Sequence, residues 1–169
     1  GFTAWTAEPA RRVDIVRAPR PLPPVTLQDQ DGRLFMLQDY HGQLLAIEFI
    51  YTRCQTICRV QGMVFKQIRD QIPASMLGRG FSLLSISFDP QHDDPPSLRA
   101  YADRFGADGT YWRIARVENP AELATLLKAF GIVVIDDGMG GFEHNAAMHL
   151  LDRDGRLRWI SDIDTPAPL

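Results

Sequence analysis

LLAIEFIYTRCQTICRVQG, residues 44 to 62, sets an apolar strand against the start of a helix and puts the chain's two cysteines, Cys54 and Cys58, at the join. Leu44 to Tyr51 is nearly all apolar, as expected of a strand buried on both faces. From about Thr56 to Gln71 the apolar residues Ile57, Val60, Val64, Phe65 and Ile68 recur at helical spacing. Two cysteines four residues apart at a helix start share one face, with Cα atoms about 6 Å apart. That separation suits a disulfide, and the same pair as thiolates can clamp one soft metal ion. The helix dipole and the flanking Arg53 and Arg59 are expected to favour thiolate.

On the N-terminal side, VTLQDQDGRLFML (25–37) alternates about Asp31-Gly32, a hairpin signal. Residues 1 to about 24 read as a lead-in: a short helical piece around TAEPARRVDIVRA, then PRPLPP, whose prolines make a stiff extended connector. Residues 25–169 read as one domain. On the C-terminal side, Phe81 to Phe88 is a second buried strand, Pro96 to Phe105 a helix stopped at Gly106, and Tyr111 to Val117 a third strand. Asn119 caps a helix that runs to Phe130 and stops at Gly131. Ile132 to Ile135 is a short apolar piece. A glycine-rich loop, DDGMGGFEH (136–144), leads into a final hairpin turning at Arg153-Asp154-Gly155. Alternating strands and helices followed by an antiparallel pair predict an α/β fold, a mixed central sheet with helices on both faces. Cysteines just past the C-terminal end of the first central strand fit a thioredoxin-like arrangement with an extra N-terminal β-hairpin.

Composition narrows the chemistry. The 169 residues carry a net charge of −3 and hold 45% hydrophobic and 23% charged residues, ordinary for a globular domain. No basic run interleaves with aromatics, which argues against nucleic acid as a partner. No stretch reaches the length of a membrane span. The chain opens on Gly1 and not Met, so a trimmed N-terminus is expected. Two cysteines are too few for a disulfide scaffold. A closed zinc site would need a second pair of ligands, which is absent. The Thr or Ser that a peroxiredoxin places three residues before its reactive cysteine is Tyr51 ahead of Cys54 and Gln55 ahead of Cys58. Of the four histidines, His41, in a Tyr-His-Gly turn, reads as a surface residue. His144, at the end of the glycine-rich loop, can swing toward the thiols, and His149, five residues on, faces the other way.

FIYTRCQTICRVQG (49–62) resembles the F-x-[FY]-T-x-C-P-x-x-C-P signature of the Sco/SenC family of copper-binding assembly proteins. SISFDPQHDDPPSLRAYADRFG (85–106) and FEHNAAMHLLDRDGRL (142–157) resemble two further family segments, in the right order, and the likeness runs from Pro24 to Ile160. The resemblance implies a thioredoxin-like fold and copper, as Cu(I) and Cu(II), held by Cys54, Cys58 and His144, with Asp89 as an acidic residue behind the ligands. Two thiolates and an imidazole make a soft set with an open edge, suited to passing a metal on. It also implies a metallochaperone for the CuA centre of cytochrome c oxidase. Its partners would be the oxidase's copper-binding subunit and a further copper chaperone or thiol–disulfide reductase. The protein would be a monomer, anchored on the periplasmic side of a membrane. The sequence departs from the family pattern at Gln55 and Arg59, where prolines usually stand, and at His149, usually aromatic; Glu143 stands for the acid before the histidine. Arg59 and the missing prolines favour free thiolate. Two other functions therefore compete: a thiol–disulfide reductase using Cys54 and Cys58 as its redox pair, and a redox or copper sensor that signals through the glycine-rich loop.

Overall fold

The computed structural model describes residues 20–54 and 57–162, so the helical piece expected near the N-terminus lies outside the described residues. The apolar segment ahead of the cysteines is strand β4 (Leu44–Ile50), buried along almost its whole length as its continuous hydrophobic run requires. The other strands are β1 (Arg20–Pro21), β2 (Thr26–Asp29), β3 (Leu34–Met36), β5 (Phe81–Ser87), β6 (Trp112–Arg116), β7 (Val134–Asp136), β8 (Phe142–His144), β9 (Ala147–Leu151) and β10 (Arg156–Asp162). Eight of them form one sheet in the order β1-β10-β9-β4-β5-β6-β2-β3. β4, β5 and β6 run parallel, while β9 joins β4 antiparallel and β2 joins β6 antiparallel. The expected mixed sheet and its N-terminal hairpin, β2–β3, are therefore present. Arg20 and Pro21 pair with Arg156 and Leu157 at the outer edge, where a proline's missing N–H costs no ladder bond.

Three helices cover the sheet: α1 (Ile57–Gln71), α2 (Pro95–Phe105) and α3 (Pro120–Phe130). Phe65 of α1 packs on Trp112, ring centroids 6.0 Å apart. The Trp112 indole N–H donates to Ser85 Oγ, and Ser85 donates to Glu48 at 2.6 Å, so Glu48 faces α1 and α2. On the opposite face Phe130 of α3 meets Phe49 at 5.1 Å. Helix ends follow the capping residues read from sequence. Asn119 accepts from the Ala121 and Glu122 amides, and Gly106 and Gly131 close their helices. α2 starts one residue earlier than expected, because the side chain of Asp94 accepts the Ser97 amide and both prolines then fit the first turn. α1 and α2 approach closely at Gly62, where a Cβ would stand 2.5 Å from the Phe105 ring.

One segment differs from expectation. Residues 136–144, read as loop, carry strand β8, which pairs with β7 as a separate two-stranded sheet, Val134 opposite His144. The turn is built by Asp136 and Asp137, whose carboxylates accept the amides of Gly138, Met139 and Gly141. Gly138 and Gly140 take the left-handed conformation such a reversal needs. Among the described residues no helix is long and apolar enough to cross a membrane.

Candidate metal centre at the thiol edge of the sheet

The parallel strands β4, β5 and β6 end at Ile50, Ser87 and Arg116, and the side chains that carry chemistry gather beyond that edge. The chain leaves β4 through Tyr51, Thr52 and Arg53 and reaches Cys54, whose amide donates to the Tyr51 carbonyl at 3.2 Å. Cys58 follows in the first turn of α1, and its backbone N–H donates to Cys54 Sγ at 3.4 Å. Both cysteines are buried, and no disulfide joins them. His144 arrives from the end of β8, 86 residues later, with Nε2 at 3.7 Å from Cys58 Sγ. Its ring lies against Phe88, centroids 4.9 Å apart, and Tyr51, 6.2 Å. Tyr51 in turn donates to the Phe142 carbonyl and accepts the Phe142 amide, pinning β8 to the loop that holds the thiols. Burial, followed by the neighbouring thiols, holds the Tyr51 hydroxyl above its ordinary value, so it serves here as a neutral donor and acceptor.

The expectation that the dipole and flanking arginines ease both thiols toward thiolate does not hold for Cys58. Its pKa is pushed far up, first by its hydrogen bond with Cys54 and then by burial. Arg53 does not offset this, because its guanidinium is drawn to Asp89 at 3.0 Å.

Asp89, expected behind the metal ligands, is buried and occupied by Arg53 and by His92, whose Nδ1 lies 3.0 Å away. Its link to the thiols therefore runs through Arg53, the residue before Cys54. His92, not singled out by the sequence, belongs to this polar group. His149 lies elsewhere: it is fully buried with its ring edge-on to Phe49 (5.8 Å) and Phe130 (5.0 Å), on the α3 face of the sheet. Tyr51, Phe88, Phe142 and Asp93 were not singled out by the sequence, because their roles rest on partners far along the chain. An open groove of about 430 Å³, floored by Leu123 and Leu127 and rimmed by Arg116 and Glu118, adjoins the site through Phe88 and Asp89.

The donor set tests well against a soft ion. A thiolate and an imidazole on one trigonal ion, with bonds of about 2.3 and 2.0 Å, stand about 3.7 Å apart, the separation seen between Cys58 and His144. Among the described residues no group of three His, Cys, Asp or Glu side chains is drawn together at full metal-ligating spacing.

The molecule resembles solved structures over most of its length. It superposes on Bradyrhizobium japonicum ScoI with copper bound at a TM-score of 0.74 and 22% identity, covering 86% of this chain and 92% of that one. A SCO1/SenC family lipoprotein from Bacillus anthracis gives 0.78 at 24% identity, over 90% and 92% of the two chains. BsSco, described as a member of the Sco family of cytochrome c oxidase assembly proteins with a disulfide switch, gives 0.74 at 23% identity, over 88% and 87%. These likenesses confirm a thioredoxin-like fold. The SCO1/SenC family model matches residues 17–168, nearly the whole sequence, and the chain belongs to the SCO1/SenC family.

Proposed function

We propose that the protein binds one copper ion as cargo between Cys54, Cys58 and His144 and delivers it to the copper-binding subunit of cytochrome c oxidase during assembly. The observation that carries this reading is the 3.7 Å approach of His144 Nε2 to Cys58 Sγ, made between residues 86 positions apart. Two sulfurs and one imidazole nitrogen suit Cu(I) and accommodate Cu(II). The aromatic wall of Tyr51, Phe88 and Phe142 excludes water from one side. Family membership supports copper and oxidase assembly as the setting, and the lipoprotein relative supports a membrane-tethered protein outside the cytoplasm. The groove beside Phe88 and Asp89 gives an acceptor a surface next to the ligands.

The test is anaerobic titration of the fully reduced protein with Cu(I) and Cu(II), followed by ultraviolet–visible spectra. One equivalent with thiolate-to-Cu(II) charge-transfer bands is expected. Cys54→Ala with Cys58→Ala should abolish binding, and His144→Ala should weaken it at least about tenfold. Stoichiometric copper binding by the double cysteine variant would sink the proposal.

A second reading is favoured by the closeness of the two cysteines, the Cys58 amide donating to Cys54 Sγ at 3.4 Å, with both thiols free. In a reductase, one thiolate attacks a target disulfide and forms a mixed disulfide. The other cysteine then attacks that bond, releasing the target as a dithiol and leaving Cys54–Cys58 oxidised. Two electrons pass to the target. A Cys54–Cys58 couple too oxidising to reduce a target disulfide would remove this reading.

A further inference from the structure

Asp93 is fully buried, lies outside every role so far described, and is the acceptor for three donors. The Thr52 amide donates to it at 3.0 Å, the Thr52 hydroxyl at 2.5 Å and the Ser87 hydroxyl at 2.6 Å. Ser87 Oγ itself accepts the Asp89 amide at 3.0 Å, so its proton is committed to Asp93. No arginine or lysine among the described residues forms an ion pair with this carboxylate, since Arg53 is held by Asp89. Three short hydrogen bonds take the place of a counter-ion. Capping α2 does not explain Asp93, because Asp94 does that work.

The bonds connect two places. One is the end of β5, at Ser87; the other is the loop that delivers Cys54. We propose that Asp93 is a positioning residue for Cys54. It holds the Thr52 backbone and side chain against β5, while Asp89 holds Arg53, so that the two residues before Cys54 are each fixed by one aspartate. The Cys54 sulfur is thereby set in place before a metal or a target disulfide arrives. The copper part of this statement rests on the function proposed above.

The test uses the full reduced chain and the variants Asp93→Asn, Thr52→Val and Thr52→Ser. Asparagine keeps the shape but loses an acceptor and places donors where Thr52 and Ser87 already donate. Valine removes only the Thr52 hydroxyl, and serine retains it. Three quantities are read: Cu(I) affinity by competition with a chromogenic chelator, amide hydrogen exchange at Thr52 and Cys54 against Ile47 and Leu84 in the core, and the rate of Cys54 alkylation. Asp93→Asn and Thr52→Val are each expected to weaken Cu(I) binding about tenfold or more. They should speed loop exchange and Cys54 alkylation by a similar factor and leave the core amides unchanged. Thr52→Ser should return all three to within about threefold of the parent. Faster loop exchange with undiminished copper affinity would overturn the positioning role, and unchanged loop exchange would overturn the clamp itself. If core amides also exchange faster in Asp93→Asn, Thr52→Val decides by the same readings. Should the parent protein take up no copper, the proposed function fails, while loop exchange and Cys54 alkylation still decide the clamp.

Discussion

His149 packs edge-on between Phe49 and Phe130 on the α3 side of the sheet, whereas Cys58 and His144 meet beyond its edge, with α1 on the opposite face. Two histidines five residues apart thus lie in different surroundings, not by alternation along one strand but because His144 ends β8 and His149 belongs to β9 of the main sheet. A phenyl ring can repeat both of those edge-on contacts. His149→Phe is accordingly expected to leave copper stoichiometry and affinity unchanged in the titration; a lost copper site would show that the sheet transmits His149 to the thiols. The sequence carried the ligand candidates because cysteine and histidine are rare and their spacing is informative. It could not carry Asp93 or Tyr51, whose roles depend on partners 41 and 91 positions away. Within DDPP the two aspartates look alike, and only the fold separates the cap, Asp94, from the clamp, Asp93.

At the level of elements, α1 was readable from its apolar spacing and β4 and β5 from their unbroken hydrophobic runs. β7 and β8 were not, because three residues give no periodicity and the glycines between them match a loop equally well. The packing of α1 on α2 was equally hidden. Gly62 reads as a weak point in a helix, yet it is where the tip of the Phe105 ring comes against the backbone. Alanine is the better helix former, so an isolated α1 would gain from Gly62→Ala. In the folded protein the added methyl collides with an aromatic ring buried in the core. Gly62→Ala is expected to destabilise by about 1–3 kcal/mol in chemical denaturation; a stabilised variant would mean that the two helices can slide apart at no cost.

Across the whole molecule, the sheet encloses one acid in a run of apolar side chains. Glu48 is fully buried, and burial raises its pKa from 4.5 to about 8, with the hydrogen bonds from Ser85 and Tyr101 pulling the other way. It is therefore largely protonated at neutral pH. A raised carboxyl pKa favours the fold fully below the unfolded value and loses that contribution as pH rises through the folded value. Stability should fall between about pH 4.5 and 8, by on the order of 4 kcal/mol from this residue. Glu48→Gln, which keeps an acceptor for Ser85, should flatten the profile measured by urea unfolding over that window. Equal losses in both proteins would place the pH sensitivity elsewhere. The general plan, a mixed sheet with helices on both sides, followed from element order; this internal acid was plain in the sequence but unreadable, since LLAIEFI alone does not say whether Glu48 faces water.

The separateness of β7 and β8 has a kinetic consequence. The thiols belong to the main body, whereas the imidazole rides on a short ribbon that shares no ladder with the eight-stranded sheet. For the copper proposed above, letting go of the imidazole would break the Tyr51–Phe142 hydrogen bonds and bend this ribbon back, with every strand of the main sheet left paired. The barrier to such a departure is that of a local motion and not of unfolding, so on the proposed function residence can be short even when affinity is high.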